Sequence, residues 1–130
     1  MRCPCGSGLD YSGCCEPLHL GAAAPTAEAL MRSRFSAFAL RSTNPRLDDY
    51  LLSTWHPSTR PATLEPDDGT VWRKLQIVDR VAGGPDDQTG VVEFRASYRD
   101  ADGTAAVLHE RSRFERADGR WVYLDGDIRV

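Results

Sequence analysis

The sequence predicts an α+β fold: helices packed on one face of a curved antiparallel sheet, with a cysteine-rich knuckle in front. Three observations predict it. All four cysteines of the 130-residue chain fall within its first fifteen residues. Apolar residues between Thr26 and Trp55 recur at helical spacing, whereas from Trp72 onward they recur every second residue. The alternating segments are joined by Asp-Gly turns, which suit antiparallel neighbours. Helices first and an antiparallel meander afterwards put the helices together on one face of the sheet.

The first element is the knuckle, Cys3-Pro-Cys5-Gly-Ser-Gly-Leu-Asp-Tyr-Ser-Gly-Cys14-Cys15. Two tight cysteine pairs bridged by a Gly-rich loop can bring four thiolates onto one tetrahedral ion, and zinc takes such a set. Cys3, Cys5, Cys14 and Cys15 are the expected ligands of one structural Zn2+, since four protein thiolates leave no open position for a substrate. Gly6, Ser7, Gly8, Ser12 and Gly13 let backbone N–H groups turn toward the sulfurs. Too few apolar residues lie nearby for a separate core, so metal binding supplies most of the folding energy of this stretch. The competing readings are disulfides from Cys3 and Cys5 to Cys14 and Cys15, reactive thiols, or an iron–sulfur centre. No signal peptide precedes the cluster, so a reducing, cytoplasmic location is expected.

Glu16 to Pro25 reads as a short connector, with His19 a solvated linker imidazole. The first long helix begins at Thr26, a natural N-cap, with Glu28 in the first turn against the helix dipole. Ala27, Leu30, Met31, Phe35 and Phe38 make its apolar stripe, Arg34 falls inside that stripe, and Arg32, Ser33 and Arg41 point elsewhere. A second helix starts at Asn44-Pro45, cap followed by proline, with Leu47, Tyr50, Leu51, Thr54 and Trp55 inward. Val71, Leu75, Ile77 and Val81 form the inner face of the first strand, and Val92, Phe94, Ala96 and Tyr98 that of the second. Gly83 to Gly90 is the longer turn between them, while Asp102-Gly103 and Asp118-Gly119 close hairpins of the favoured type. In the last strand either the Trp121/Tyr123 set or the Val122/Leu124 set could be core.

Hydrophobic content of 41% and charged content of 27% exclude a disordered chain. A net charge of −3 argues against a general nucleic-acid binder. No apolar run approaches the ~18 residues of a membrane span.

Four separated blocks then stand in order beside the knuckle: Pro25-Thr-Ala-Glu-Ala-Leu-Met-Arg-Ser-Arg-Phe-Ser-Ala-Phe38, Thr54-Trp-His-Pro-Ser-Thr-Arg-Pro61, His109-Glu-Arg-Ser-Arg-Phe114 and Arg120-Trp-Val-Tyr-Leu-Asp-Gly126. The knuckle resembles the SEC-C zinc motif of the SecA tail, and the whole resembles the YchJ family, small bacterial proteins of unassigned activity. The resemblance implies a SEC-C knuckle over residues 1–20 and a nuclear-transport-factor-2-like (cystatin-like) cone over residues 25–130. It further implies that the knuckle is a protein-contact module, so the chain is read as an adaptor. Leu9 and Asp10 stand where lysines are common in SecA-type knuckles, which weakens contact with an acidic or RNA partner.

The third strand breaks the simple pattern. Its inner face reads Ala106, Leu108, Glu110, Ser112, Phe114, so a carboxylate and a hydroxyl enter the core, while His109 lies on the other face as a half-exposed sheet residue. A buried carboxylate needs a partner or it neutralises. Arg34 is the expected partner, in a bidentate pair, and His56 is another. In the structural reading Arg34 and Glu110 seal the cone. In the functional one Arg34, Trp55 and Ser112 line a pocket for a small molecule, with Glu110 as general base and His56 beside it in an isomerase- or dehydratase-like enzyme. The expected partners are thus a protein at the knuckle and a small-molecule ligand in the cone, without membrane or nucleic acid.

Overall fold

Thr26 starts the long helix as its side chain requires, accepting the Ala29 N–H at 3.0 Å. In the computed structural model, which describes residues 1–129, a 3-10 turn at Tyr11–Gly13 and three α-helices precede the sheet: α1 (Glu16–His19), α2 (Ala27–Leu40) and α3 (Arg46–Ser53). The connector after the knuckle thus contains one helical turn, where Pro17 occupies an early position it can tolerate. Four strands follow, β1 (Val71–Ala82), β2 (Thr89–Arg99), β3 (Ala105–Ala117) and β4 (Arg120–Ile128). They pair antiparallel in the order β1-β2-β3-β4. Among the described residues no helix is long and apolar enough to cross a membrane.

The core lies between α2 and the inner face of the sheet. Leu30, Met31 and Phe35 meet Leu75, Val92, Phe94, Phe114 and Trp121, all buried. Each such side chain contributes roughly 1.5–3 kcal/mol by leaving water, which holds the helix on the sheet. Ala37 on the next side of α2 packs with Leu47 and Leu51 of α3. The other end of α2 is seated by backbone contact. The Ala27 N–H donates to the Gly83 carbonyl at 2.9 Å, and a Cβ on Gly83, whose φ is +77°, would stand 2.8 Å from the Ala27 methyl.

Three expectations change. Val71 and Val81 are about half exposed, because β1 is bulged between Trp72 and Lys74 and between Ile77 and Asp79. Each bulge shifts the alternation by one residue, so Trp72 and Leu75 share the inner side while Val81 turns outward. The Asp118-Gly119 turn has positive φ at both central residues, as the two-residue type demands, whereas at Asp102-Gly103 only Gly103 is left-handed and the Asp100 N–H reaches the Thr104 carbonyl. Ser33, expected to point away from the core, is fully buried and bonds the Leu30 carbonyl and the Tyr50 hydroxyl. In β4 the aromatic set joins the core, Trp121 packing under α2 and Tyr123 stacking edge-on against Phe114, while Val122 of the other set is buried as well.

Candidate functional site

Helix α2 is a wall shared by two sites. One side carries Arg32, Ser33 and Ser36 toward the knuckle; the other carries Met31, Arg34, Phe35 and Phe38 toward a cavity over the sheet.

At the knuckle the four cysteine sulfurs lie within 4.8 Å of one another. Cys5 and Cys14 are 3.6 Å apart and Cys14 and Cys15 are 4.0 Å apart. Four sulfurs at ~2.3 Å from a central ion in a tetrahedron stand about 3.8 Å apart, so the group fits a metal ion. As bare thiols they must share protons: the hydrogen bond with Cys15 pulls Cys5 down to about 4, and the same bond together with burial pushes Cys15 far up. A bound dication would replace that sharing with four thiolates. Hydroxyls supply the polar surroundings, Ser7 Oγ at 3.1 Å from Cys14 and Ser36 Oγ at 3.4 and 3.3 Å from Cys3 and Cys15. Arg32 donates to the Cys5 carbonyl at 2.8 Å.

His19 is not a solvated imidazole. Its Nε2 bonds the Ser33 carbonyl at 2.8 Å, which makes Nδ1 the acceptor of the Tyr11 hydroxyl at 2.6 Å, and its ring meets that of Tyr50 edge-on. Burial pulls its pKa below the ordinary value and keeps the ring neutral. The sequence showed one isolated histidine in a Pro/Ala-rich segment; only the fold brings α1 against α2.

The cavity between α2 and the sheet measures about 200 Å³. Its walls are mainly aromatic and aliphatic, and Arg34, Trp55, Glu110, Ser112 and Tyr123 bring the polar atoms. The expected Arg34–Glu110 ion pair is absent. Arg34 is 5% exposed and uses Nη1 alone, donating to the Leu51 carbonyl and to Thr54 Oγ1, both at 2.7 Å. Its guanidinium lies 5.2 Å from the Trp55 ring centre and 5.0 Å from that of Tyr123. Burial pulls its pKa down to about 10, so it is charged at neutral pH. Glu110 Oε2 accepts from Ser112 Oγ at 2.5 Å and from the Tyr123 hydroxyl at 3.2 Å. Burial and the Glu110 charge hold the Tyr123 phenol well above its usual pKa, keeping it a donor. The Trp55 indole N–H is buried without an acceptor.

His56 lies off the cavity. The chain after α3 pairs with β4, the His56 N–H on the Tyr123 carbonyl and the Tyr123 N–H on the Thr54 carbonyl. Extended neighbours point to opposite sides, so Trp55 turns in and His56 turns out. There its Nδ1 accepts from the Ser58 N–H while Nε2 lies 2.9 Å from Glu115. Glu110 therefore has no histidine beside it. His109, on the outer sheet face, bonds Glu93 at 2.7 Å.

Sequence reasoning missed Gly126 and Ser36. Gly126 sits in β4 opposite Ser112, and a Cβ there would run into the Glu110 carboxyl, standing 2.8 Å from Cδ. A glycine inside a strand often marks such close approach. Ser36 follows Ser33 by three residues on a helix, a spacing that puts two hydroxyls on one face.

A model of the YchJ middle NTF2-like domain matches residues 26–126. A UPF0225 protein of Streptomyces coelicolor is 54% identical over 97% of this chain and 94% of its own length, and one of Corynebacterium efficiens is 53% identical over 98% and 94%. A solution structure of a SEC-C motif containing protein from Rhodopseudomonas palustris superposes with a TM-score of 0.81 at 34% identity, covering both chains completely.

Proposed function

The chain belongs to the YchJ family, and on that premise we propose that it is a small-molecule-binding domain stapled by one structural zinc ion. The zinc half is supported by four thiols at tetrahedral spacing and by the SEC-C motif of the solved relative. An ion held by four thiolates has no open position; it supplies folding energy and does no chemistry. Thiolate ligands also favour the reducing cytoplasm. Native mass spectrometry of protein purified under reducing, zinc-replete conditions tests this half: one zinc per chain is expected, and a metal-free or iron-loaded chain overturns it.

Arg34 carries the binding half. It is a buried cation on a cavity wall, with donors left over and a carboxylate nearby that it does not neutralise. A buried pair kept only to orient a helix closes on itself; this one does not. Glu110 has no histidine beside it, so the reading is of binding rather than of proton transfer. An NMR screen of fragments of about ten heavy atoms tests it, that size being what such a cavity accepts. Fragments that move the amide signals of Phe94 and Ser112 are expected; a screen that moves neither overturns the binding half.

A protein contact at the knuckle is the second reading, favoured by Leu9 at 56% and Leu20 at 81% exposure. A partner captured by this chain and lost on Leu9→Ser with Leu20→Ser is the expected result; capture unaffected by both changes overturns it.

A further inference from the structure

The cavity is asymmetric in its polar groups. On the α2 side, Arg34 Nε and Nη2 have no protein acceptor, since both hydrogen bonds come from Nη1. Beside it, Trp55 holds a buried indole N–H that also lacks one. An anionic acceptor in the cavity would meet the free donors of Arg34 with charge-assisted hydrogen bonds. Across the cavity, Glu110 Oε2 takes both protein donors, Ser112 and Tyr123, which leaves Oε1 free to accept. The two ends stand one tyrosine apart: the guanidinium lies over the Tyr123 ring and the carboxylate at its hydroxyl. Between them the walls are Phe35, Phe94, Phe114 and Trp72, suited to a flat apolar body.

Volume sets the size. A dry cavity of about 150 Å³ accepts benzene, so the ~200 Å³ here takes one ring with small substituents. The charges set the polarity: an anionic group belongs at Arg34, and a second anion at the other end would meet Glu110. A cation at the Arg34 end is repelled in the same way.

We propose that the cavity takes a single-ring aromatic monocarboxylate with a hydroxyl at its far end, the carboxylate on Arg34 and the hydroxyl donating to Glu110 Oε1. This inference rests on the binding reading above and gives it a ligand class.

Titrating the zinc-loaded wild-type protein with 4-hydroxybenzoate, benzoate, phenol and toluene, followed by NMR, tests it without requiring any variant to fold. 4-Hydroxybenzoate should bind at least tenfold tighter than benzoate and tighter still than phenol, because each charged hydrogen bond is worth a factor of about ten or more. Arg34→Met should abolish the preference for carboxylates over phenol, and Glu110→Gln should reduce that for 4-hydroxybenzoate over benzoate. If phenol or toluene binds as tightly as 4-hydroxybenzoate, the cavity is a binding site but the anionic class is wrong. If none of the four moves any cavity signal at millimolar concentration, both the class and the binding reading fall.

Discussion

Replacing Arg34, which is 5% exposed and sits on the main helix, by methionine should lower global stability by about 2–4 kcal/mol. The losses are countable. The Leu51 carbonyl and Thr54 Oγ1 lose a charged donor, at about 1.5–3 kcal/mol in total because the Thr54 hydroxyl keeps its own bond to the Tyr50 carbonyl. Two cation–π contacts go as well, about 2 kcal/mol each for a cation held out of water. Against this stands the cost of keeping the charge buried. A pKa pulled by burial from 12.5 to about 10 corresponds to about 3 kcal/mol unfavourable to the charged form, and methionine removes it. Methionine also fills most of the vacated volume, so little cavity is created. The losses exceed that relief by about 2–4 kcal/mol, well short of the gross loss of contacts. Urea unfolding of both zinc-loaded proteins, with equal m values required, reads the difference. A loss of about 6 kcal/mol or more, the whole gross loss of contacts, would mean that Arg34 is a structural pin and would remove the ground for treating its free donors as a binding feature.

Chelating the metal at neutral pH should unfold residues 1–20 and leave the cooperative transition of residues 25–130 in place, lowered by roughly 10 °C for the loss of the His19, Ser36 and Arg32 contacts; a knuckle whose NMR signals stay dispersed after chelation contradicts the metal reading. Gly126→Ala should preserve the fold, since its backbone is compatible, yet displace the Glu110 carboxyl and break its bond from Ser112; an unmoved Ser112 signal would refute that packing. On the outer face, His109 and Arg111 hold the Glu93 carboxyl below its ordinary 4.5. A carboxyl lowered by folding contributes stability above its unfolded pKa and loses it as pH falls through the folded one. The advantage of wild type over Glu93→Gln should therefore be full above pH 4.5 and shrink below it; an advantage that instead grows with acid would reverse the assignment.

The four-thiol cluster was legible because its members are local: thirteen residues of chain hold Cys3 through Cys15, and the glycines between them shape the loop. The start of α2 was legible for the same reason, as Thr26 and Ala29 are one helical turn apart. So were the inner faces of β2 and β3, where no bulge interrupts the pairing and Val92, Phe94, Ser112 and Phe114 keep strict alternation. In β1 two bulges reset the phase, and nothing in the run from Val71 to Ala82 marks where an extra residue leaves the ladder.

The polar chemistry of the cavity belonged to the tertiary structure. Sequence placed Arg34 and Glu110 on facing surfaces and inferred that opposite charges would meet. The side chains instead reach nearer partners, Leu51 and Thr54 for one, Ser112 and Tyr123 for the other, with the Tyr123 ring between them. Trp55 and His56 differ by one position, and the short pairing of that segment with β4 alone decides which turns inward. Periodicity records which face a residue occupies within its own element. Distances between elements depend on how helix and sheet pack, and these determine which hydrogen bonds are made and which donors remain unused.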